Sequence, residues 1–341
     1  MEFIRLGRTE LLVTKTSFGA LPIQRVDMDE AVRILRRAYD AGINFYDTAR
    51  GYTDSEEKIG RALSDVRQSI IIATKAWARS KVELLSALET SLKAMRTDYV
   101  DILQIHNPRE LPDAADPESA YAGLIEAREK GLTRFIGISN HRLDLAISAV
   151  RSGLYDTLQF PICHISSEQD LGLINVCREA DVGLIAMKPL SGGLITSARA
   201  AFAFFRQYEN VVPIWGVQRM EELEEIIRLE DAPPRMDDVK EEIERDRREL
   251  AGEFCRACGY CQPCPVGIPI SMAARMPLLL RRMPWQGFMS NQWHEKMHLI
   301  EKCTDCGQCK EQCPYNLDTP TLLKKALADY EVFYAEHAPL L

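Results

Sequence analysis

Four side chains with acid–base chemistry occur at short intervals in the first third of the chain: Asp47, Tyr52, Lys75 and His106. A tyrosine hydroxyl has an ordinary pKa near 10, which is too high for easy proton sharing at neutral pH. We expect the Lys75 ammonium to stabilise the phenolate and lower that pKa, while Asp47 keeps the ammonium charged. A nearby histidine would orient a substrate carbonyl by hydrogen bonding. This set predicts a proton donor for a carbonyl that is being reduced.

These residues end or follow short apolar runs, which alternate with amphipathic stretches such as Asp29–Ala41 and Lys81–Met95. Eight such runs have the character of strands buried on both faces: Thr16–Ala20, Asn44–Tyr46, Ile70–Thr74, Val100–Ile105, Phe135–Ile138, Thr157–Phe160, Leu184–Met187 and Val211–Trp215. Eight β–α units in about 230 residues predict an α/β fold of the (β/α)8 TIM-barrel type, preceded by a β-hairpin over residues 1–14. Chemistry in such barrels lies at the C-terminal strand ends, where the four side chains fall. An open doubly wound sheet is the alternative, but no glycine-rich dinucleotide fingerprint follows the first strand.

The segment Gly42–Gly60, GINFYDTARGYTDSEEKIG, resembles the signature of the aldo-keto reductases. In that family an aspartate precedes the catalytic tyrosine by five positions, as Asp47 precedes Tyr52. The motifs IIATKA and LQIHN at the next two strand ends match the family's lysine and histidine. The resemblance implies that Tyr52 is the general acid/base, that Lys75 and Asp47 tune it, and that His106 orients the carbonyl. A barrel that keeps these residues without activity is the alternative.

The resemblance also implies a nicotinamide cofactor. GISN and LQF resemble the segments that hold the carboxamide, LIAMKPLSGG resembles a phosphate-binding loop, and WGVQRMEELEEI resembles the helix start that holds the adenosine end. Arg219 is the one cation near that end, so NADP is favoured over NAD. Met187 replaces a frequent aromatic residue, and Ile226 replaces the usual asparagine. The implied cofactor-binding residues are Ser139, Asn140, Gln159, Met187, Lys188, Pro189, Leu190, Ser191, Gly193, Gly216, Arg219 and Glu225.

Position along the barrel also suggests four pocket-wall residues, Phe18, Leu21, Trp77 and Asn107. Packing inside the barrel is an equally good interpretation of these four.

Eight of the ten cysteines fall within residues 255–313, in the runs C-x2-C-x2-C-x2-C-P and C-x2-C-x2-C-x3-C-P. The second is the bacterial ferredoxin run, whose fourth cysteine ligates the other cluster of a pair. By that rule one [4Fe–4S] cluster takes Cys255, Cys258, Cys261 and Cys313, and the other takes Cys303, Cys306, Cys309 and Cys264. Two four-thiolate zinc sites are the alternative.

The stretch between the two runs has helical patterns, so residues 255–341 resemble a small, mostly α-helical ferredoxin domain. Aldo-keto reductase-like barrels followed by such a domain are a known subgroup, which this chain resembles. The predicted domains are therefore the barrel (1–230), a charged linker and exposed helix (231–254) and the dicluster domain (255–341).

Three cysteine and histidine patterns outside these motifs receive simpler interpretations. His294–His298 reads H-E-x-x-H, the zinc-protease motif, but no third ligand follows at a matching spacing. An exposed helical face is therefore the simpler interpretation of that motif. Cys163 and Cys177 are isolated, and we expect both to be small buried residues.

Bulk composition excludes several classes of function. The net charge is −8 and the pI is about 5.5, which does not suit nucleic-acid binding. No apolar run approaches the roughly 20 residues of a membrane helix, and the start MEFIRLGRTE has no signal-peptide core. We therefore expect a cytoplasmic protein, where dense cysteines bind metal or do redox work rather than form disulfides.

Three functions remain open because a hydride carries two electrons and a [4Fe–4S] cluster passes one. The first is an oxidoreductase that reduces a carbonyl with NAD(P)H, or oxidises the alcohol, with the clusters serving electron transfer or structure. The second is a ferredoxin- or flavin-linked redox enzyme in which the clusters feed single electrons to the barrel. Its partner would be a ferredoxin or a flavoprotein. The third is an electron-transfer subunit with the barrel as scaffold.

Overall fold

The computed structural model describes residues 1–250 and 254–337, which form two compact units. The first unit comprises Met1–Pro189 and Ala198–Lys240. The second comprises Leu190–Ser197 and the chain from Glu241 onward. The segment Leu190–Ser197, which interrupts the barrel unit in the sequence, therefore belongs to the C-terminal unit. The predicted domain boundaries at residues 230 and 255 did not include this exchange.

The first unit is a closed barrel of eight parallel strands, as predicted. The barrel strands are β3 (Ser17–Gly19), β4 (Phe45–Asp47), β5 (Ile71–Ala76), β6 (Val100–His106), β7 (Thr133–Ser139), β8 (Thr157–Pro161), β9 (Gly183–Met187) and β10 (Val211–Gly216). Each is followed by a helix: α1 (Met28–Asp40), α2 (Ser55–Leu63), α3 (Lys81–Met95), α4 (Ala120–Glu129), α5 (Leu143–Arg151), α6 (Glu168–Glu179), α7 (Ala198–Arg206) and α8 (Met220–Asp231). Strand β10 pairs with β3 and closes the ring.

An antiparallel hairpin of β1 (Phe3–Arg5) and β2 (Leu12–Thr14) covers the N-terminal ends of the strands. Its Leu6 packs into the apolar cluster inside the barrel. Gly7 has a φ of +51°, and a Cβ there would lie 2.3 Å from the backbone nitrogen of Gly183, at the start of β9. The hairpin therefore closes the barrel end opposite the predicted catalytic residues.

Side-chain caps and glycine stops fix where the barrel helices begin and end. Asp27 accepts a hydrogen bond from the backbone N–H of Glu30, and Ser80, Ser119 and Ser167 cap α3, α4 and α6 in the same way. Gly42 and Gly131 have φ of +93° and +71°, so a left-handed glycine follows each of α1 and α4. These caps and glycines define the ends of the helices that alternate with the barrel strands.

The second unit is helical and carries its own apolar core. Its helices are α9 (Lys240–Glu249), α10 (Ile270–Ala273), α11 (Met276–Arg282), α12 (Asn291–His298), α13 (Gln308–Glu311) and α14 (Thr319–His337). Met276, Leu280 and Leu323 belong to a core cluster against which several of the motif cysteines pack. Helix α9 corrects the expectation of a fully solvated linker helix, because Ile243 is buried and Asp246 is held by Arg282.

None of the helices within the two described ranges combines the length and the apolar composition needed to cross a membrane.

Candidate active site and cysteine cavities

The four predicted catalytic residues lie at the C-terminal ends of three adjacent strands. Asp47 ends β4, Lys75 is the penultimate residue of β5, and His106 ends β6. Tyr52 lies on the turn that follows β4. Because β4, β5 and β6 are neighbours in the ring, the structure brings these side chains to one end of the barrel.

Lys75 and Asp47 form a buried ion pair. The Lys75 Nζ lies 2.6 and 2.8 Å from the two carboxylate oxygens of Asp47, and it also donates to the carbonyl of Thr48 at 2.8 Å. The side chains of Lys75 and Asp47 are only 1% and 2% exposed. Burial raises the pKa of Asp47 and lowers the pKa of Lys75, and the pairing opposes both shifts. All three lysine donors are directed into the barrel, away from solvent.

Tyr52 is half-buried beside this pair. The Lys75 Nζ lies 5.2 Å from the centre of the Tyr52 ring. Burial, together with the charge of Asp47, raises the pKa of Tyr52 above its ordinary value of 10. The sequence-based expectation of a lowered pKa is therefore not met in this geometry, because burial first, and the Asp47 charge second, raise the pKa of Tyr52. A raised pKa keeps the phenol protonated, as a proton donor requires.

His106 stands beside Tyr52 as a neutral imidazole. The two rings meet edge to face with centroids 5.9 Å apart, and the indole of Trp77 stacks on His106 at 4.9 Å. Burial, with a smaller contribution from the Lys75 charge, lowers the pKa of His106 to about 3. Its Nδ1 is buried and has no hydrogen-bond partner among the described residues. A neutral ring carries one N–H that can donate to a carbonyl oxygen.

Among the four suggested wall residues, Trp77 stacks directly on His106. The indole is 65% exposed, and a Cβ at Gly51 would lie 2.5 Å from it, so glycine leaves room for the stack. Phe18 packs on Tyr46 inside the barrel, which matches the packing interpretation. The backbone N–H of Asn107 donates to the Ser139 carbonyl, and Leu21 is 39% exposed.

Sequence reasoning missed two polar residues at this end of the barrel. Gln104 donates from Nε2 to Gln159 Oε1 at 3.1 Å, and Gln159 donates to Asp47 at 3.2 Å. His141, just after β7, is buried, and burial with the charge of Lys188 lowers its pKa well below the ordinary range. Gln104 precedes His106 by two residues on one strand, so period-two alternation could have placed both on one face.

The residues predicted to hold a nicotinamide carboxamide lie close together. Ser139 is opposite both His106 on β6 and Gln159 on β8 in the strand register. Asn140 donates to the Pro108 carbonyl and accepts from the backbone N–H of Arg142, which fixes its amide. These polar groups on adjacent strand ends fit an amide-bearing ligand at this end of the barrel.

The remaining predicted cofactor residues belong to both compact units. Met187, Lys188 and Pro189 belong to the barrel unit, as do Gly216, Arg219 and Glu225. The guanidinium of Arg219 is engaged by Glu222 at 2.9 Å, and Glu225 is exposed. Leu190, Ser191 and Gly193 belong to the second unit.

Within the second unit, the buried Arg275 holds the segment after β9. Its guanidinium donates to the carbonyls of Ser191 and Gly192, at 3.3 and 2.8 Å. Arg282 donates to the carbonyl of Leu194 at 2.6 Å. Ser191, Gly192 and Gly193 all have positive φ, from +51° to +93°. Two arginines of the second unit thus fix the glycine-containing turn that sequence reasoning assigned to phosphate binding.

The eight motif cysteines surround two cavities in the second unit. One cavity of about 390 Å³ is lined by four cysteines of one predicted set, Cys264, Cys303, Cys306 and Cys309. A second cavity of about 340 Å³ is lined by the other set, Cys255, Cys258, Cys261 and Cys313. Cys261 and Cys309 line both cavities, and the other walls are largely apolar. Sulfur-lined cavities with apolar walls fit iron–sulfur clusters, which thiolates bind.

Burial raises the pKa of the Cys261 thiol to about 12, and the neighbouring Cys255 and Cys258 add to that effect. A thiolate there would need a nearby cation, which a bound iron would supply. The two isolated cysteines, Cys163 and Cys177, are 6% and 0% exposed, which confirms their interpretation as buried residues.

Comparison with known proteins identifies the family. The profile of the aldo/keto reductase family matches residues 15–203, more than half of the chain. The chain belongs to the aldo/keto reductase family. A 4Fe-4S dicluster domain profile matches residues 254–318, which include all eight motif cysteines. The protein is therefore an aldo-keto reductase family oxidoreductase with a C-terminal dicluster ferredoxin domain.

Relatives agree with the family assignment, and solved structures show the same barrel fold. The chain is 32% identical to "L-galactose dehydrogenase" of Arabidopsis thaliana over 216 residues, which cover 58% of this chain and 67% of that protein. It is 38% identical to "Methylglyoxal reductase DkgB" of Salmonella typhi over 143 residues, covering 40% of this chain and only 52% of that one. The fold resembles aldo-keto reductase AKR11C1 from Bacillus halodurans, with a TM-score of 0.64 at 21% identity, covering 72% of this chain and 96% of that one.

Proposed function

We propose that the barrel reduces a small carbonyl compound with NAD(P)H, or oxidises the corresponding alcohol, and that the second unit holds two [4Fe–4S] clusters. One observation carries the catalytic half of this proposal. The buried Lys75–Asp47 pair lies beside a half-buried Tyr52 with a raised pKa and a neutral His106. Such an arrangement supplies one proton and one hydrogen bond to a carbonyl oxygen.

The residues have separate tasks in this reaction. When bound, a reduced nicotinamide supplies a hydride to the carbonyl carbon. The Tyr52 hydroxyl gives its proton to the carbonyl oxygen, and the His106 N–H donates a hydrogen bond to the same oxygen. Lys75 stabilises the tyrosinate that forms, while Asp47 keeps Lys75 charged in a buried setting. A proton from solvent then restores Tyr52.

The substrate class and the cofactor choice rest on indirect support. "Methylglyoxal reductase" names a small dicarbonyl substrate, and "L-galactose dehydrogenase" names a sugar. Both fit a barrel end lined by polar side chains. The roles of Ser139, Asn140 and Gln159 toward a nicotinamide rest on their shared strand ends. The preference for NADP is weakened because Glu222 already engages Arg219.

The test of the catalytic proposal is a Tyr52→Phe variant assayed with NADH and with NADPH against a panel of small aldehydes and ketones. Loss of the proton donor should lower kcat by about 10²–10⁴-fold. Tyr99→Phe is the matched control, because that hydroxyl is exposed and contacts Gln68 instead. Full activity in Tyr52→Phe would overturn the assignment of the proton donor.

The cluster ligands follow the cysteine sets that line the two cavities, which we propose as one set per cluster. Paired variants test this grouping. Cys258→Ser with Cys313→Ser removes two ligands of one proposed cluster, so about four of about eight irons should remain. Cys258→Ser with Cys264→Ser damages both proposed clusters, so iron should fall toward zero. Equal iron contents in the two double variants would contradict the crossed arrangement.

A second function is favoured by the dicluster match alone: a redox enzyme whose clusters pass single electrons, from a ferredoxin or through a flavin, to the barrel. It predicts bound flavin in anaerobically purified protein, or turnover with a reduced dye and none with NAD(P)H. Turnover with NAD(P)H in protein that contains no flavin would exclude it.

A further inference from the structure

Helix α12 carries two histidines on one face. His294 and His298 are four residues apart, which places both side chains on the same side of a helix, and their ring centroids are 4.6 Å apart. Both are half-buried. This corrects the expectation of an exposed helical face, because the helix turns its histidines toward α14 and leaves Glu295 exposed.

Helix α14 supplies a carboxylate to the same point. The Oε1 of Glu331 lies 3.0 Å from the Nε2 of His298. The ring of Tyr334 lies 4.4 Å from the ring of His294, so the two helices pack closely around this group. One ligand atom from each of His294, His298 and Glu331 lies within 4.8 Å of the other two.

The contacts around this group leave two buried polar atoms without a hydrogen bond. The Nδ1 of His298 lies 3.1 Å from Glu301 Oε1, and its Nε2 faces the Glu331 carboxylate. The Nδ1 of His294 and the Oε1 of Glu331 are buried without a hydrogen-bond partner among the described residues. A metal ion between the three side chains would satisfy both of these atoms.

We propose that His294, His298 and Glu331 bind one zinc ion that joins α12 to α14. Two imidazoles and one carboxylate form a ligand set that proteins use for tetrahedral zinc, with water in the fourth position. The Glu301 carboxylate orients His298, as carboxylates commonly orient metal-bound histidines. Magnesium and calcium prefer all-oxygen ligands and fit this set poorly.

The site differs from a zinc protease although it shares the H-E-x-x-H spacing. In such proteases the glutamate of the motif is the general base. Glu295 is exposed and follows His294 directly, so it lies on a different helix face. The third ligand comes from another helix of the unit, which explains why spacing alone did not reveal it. The site therefore lacks the general base of that protease class, and its zinc would join α12 to α14.

The first experiment measures zinc and iron together in the full-length protein, purified anaerobically with its clusters and supplied with zinc before removal of loosely bound metal. We expect about one zinc per chain beside about eight irons. X-ray absorption at the zinc edge should show nitrogen and oxygen at roughly 2.0–2.2 Å and no sulfur at roughly 2.3 Å. No retained zinc, or a sulfur shell from zinc in the cysteine motifs, would overturn the proposal.

The second experiment uses variants. His298→Gln and Glu331→Gln should abolish zinc retention, and Glu301→Gln should weaken zinc affinity by about 10–100-fold. Iron content verifies that each variant is folded around its clusters. Glu295→Gln is the matched control and should keep its zinc. Zinc retained by both ligand variants, or a ninth iron bound in place of zinc, would refute the site as stated.

Discussion

Carbonyl reduction by this protein is expected to be nearly independent of pH between about 5 and 9. The two side chains proposed to contact the carbonyl oxygen do not change charge in that range. Burial lowers the pKa of His106 to about 3, and burial with the Asp47 charge raises the pKa of Tyr52 above 10. The expected profile is a plateau that ends only on the alkaline side, where Tyr52 loses its proton.

The size of the effect follows from these pKa values. At pH 5 an ordinary histidine is about 97% protonated, whereas a group with a pKa of about 3 is protonated in about 1% of molecules. At pH 9 a tyrosine with a pKa above 10 is ionised in less than about a tenth of molecules. If Lys75 instead lowered the pKa of Tyr52 to about 8, about 90% would be ionised and the rate would fall roughly tenfold.

The assay is kcat/KM for the carbonyl at saturating cofactor, measured from pH 5 to 10 at constant ionic strength. Samples returned to pH 7 must recover full activity, with unchanged iron content, to exclude cluster loss. An inflection near pH 6.5 that disappears in His106→Asn would refute the buried neutral histidine. A tenfold fall in kcat/KM between pH 7 and 9 would support the sequence-based expectation that Lys75 lowers the pKa of Tyr52.

Three further variants test the support around the site. Lys75→Met leaves Asp47 buried without its cation, which should cost about 3–5 kcal/mol of stability, seen as a lower melting temperature by circular dichroism. Trp77→Ala removes the indole stacked on His106 and lets water reach the ring, so its pKa should rise and an acidic inflection should enter the rate profile. Arg275→Ala removes the donors that hold the turn after β9, so amide hydrogen exchange in that turn should become faster.

Each of these variants has a matched comparison. Adding Asp47→Asn to Lys75→Met removes both charges and should recover part of the lost stability; no recovery would mean that the cost is not electrostatic. An unchanged pH profile in Trp77→Ala would show that other groups desolvate His106. Arg281→Ala, whose partner is Asp329 on α14, should leave exchange in the turn unchanged, and equal acceleration in both arginine variants would indicate general loosening.

The barrel could be predicted because its information is local. Each strand is a short apolar run bounded by turn residues, and each of the four proposed catalytic residues ends or follows such a run. In a parallel barrel the C-terminal ends of all strands meet at one face, so these residues come together independently of how the helices pack. The two predicted cysteine sets come from the ferredoxin rule that the fourth cysteine of a run ligates the other cluster, and the four thiols of each set line one cavity.

The features of the site that could not be predicted from the sequence depend on contacts between distant segments. The direction of the Tyr52 pKa shift depends on how deeply the phenol is buried and on how close Asp47 lies to it. Trp77 stacks on His106, and Arg275 donates hydrogen bonds to the turn after β9. Both contacts join residues on different elements. Glu331 belongs with His298 only because α14 packs on α12. No periodicity within one element carries such information.

The same long-range contacts bear on why a barrel proposed to transfer hydride is followed by a dicluster domain. Hydride transfer needs no single-electron carrier, yet the turn that sequence reasoning assigned to cofactor phosphate belongs to the unit that contains the cysteine motifs. Arg275 and Arg282 hold that turn, and both lie on or beside α11 in the core of that unit. Because metal binding is coupled to folding, loss of the proposed clusters should loosen this unit and with it the turn, even if no electron ever passes from iron to substrate.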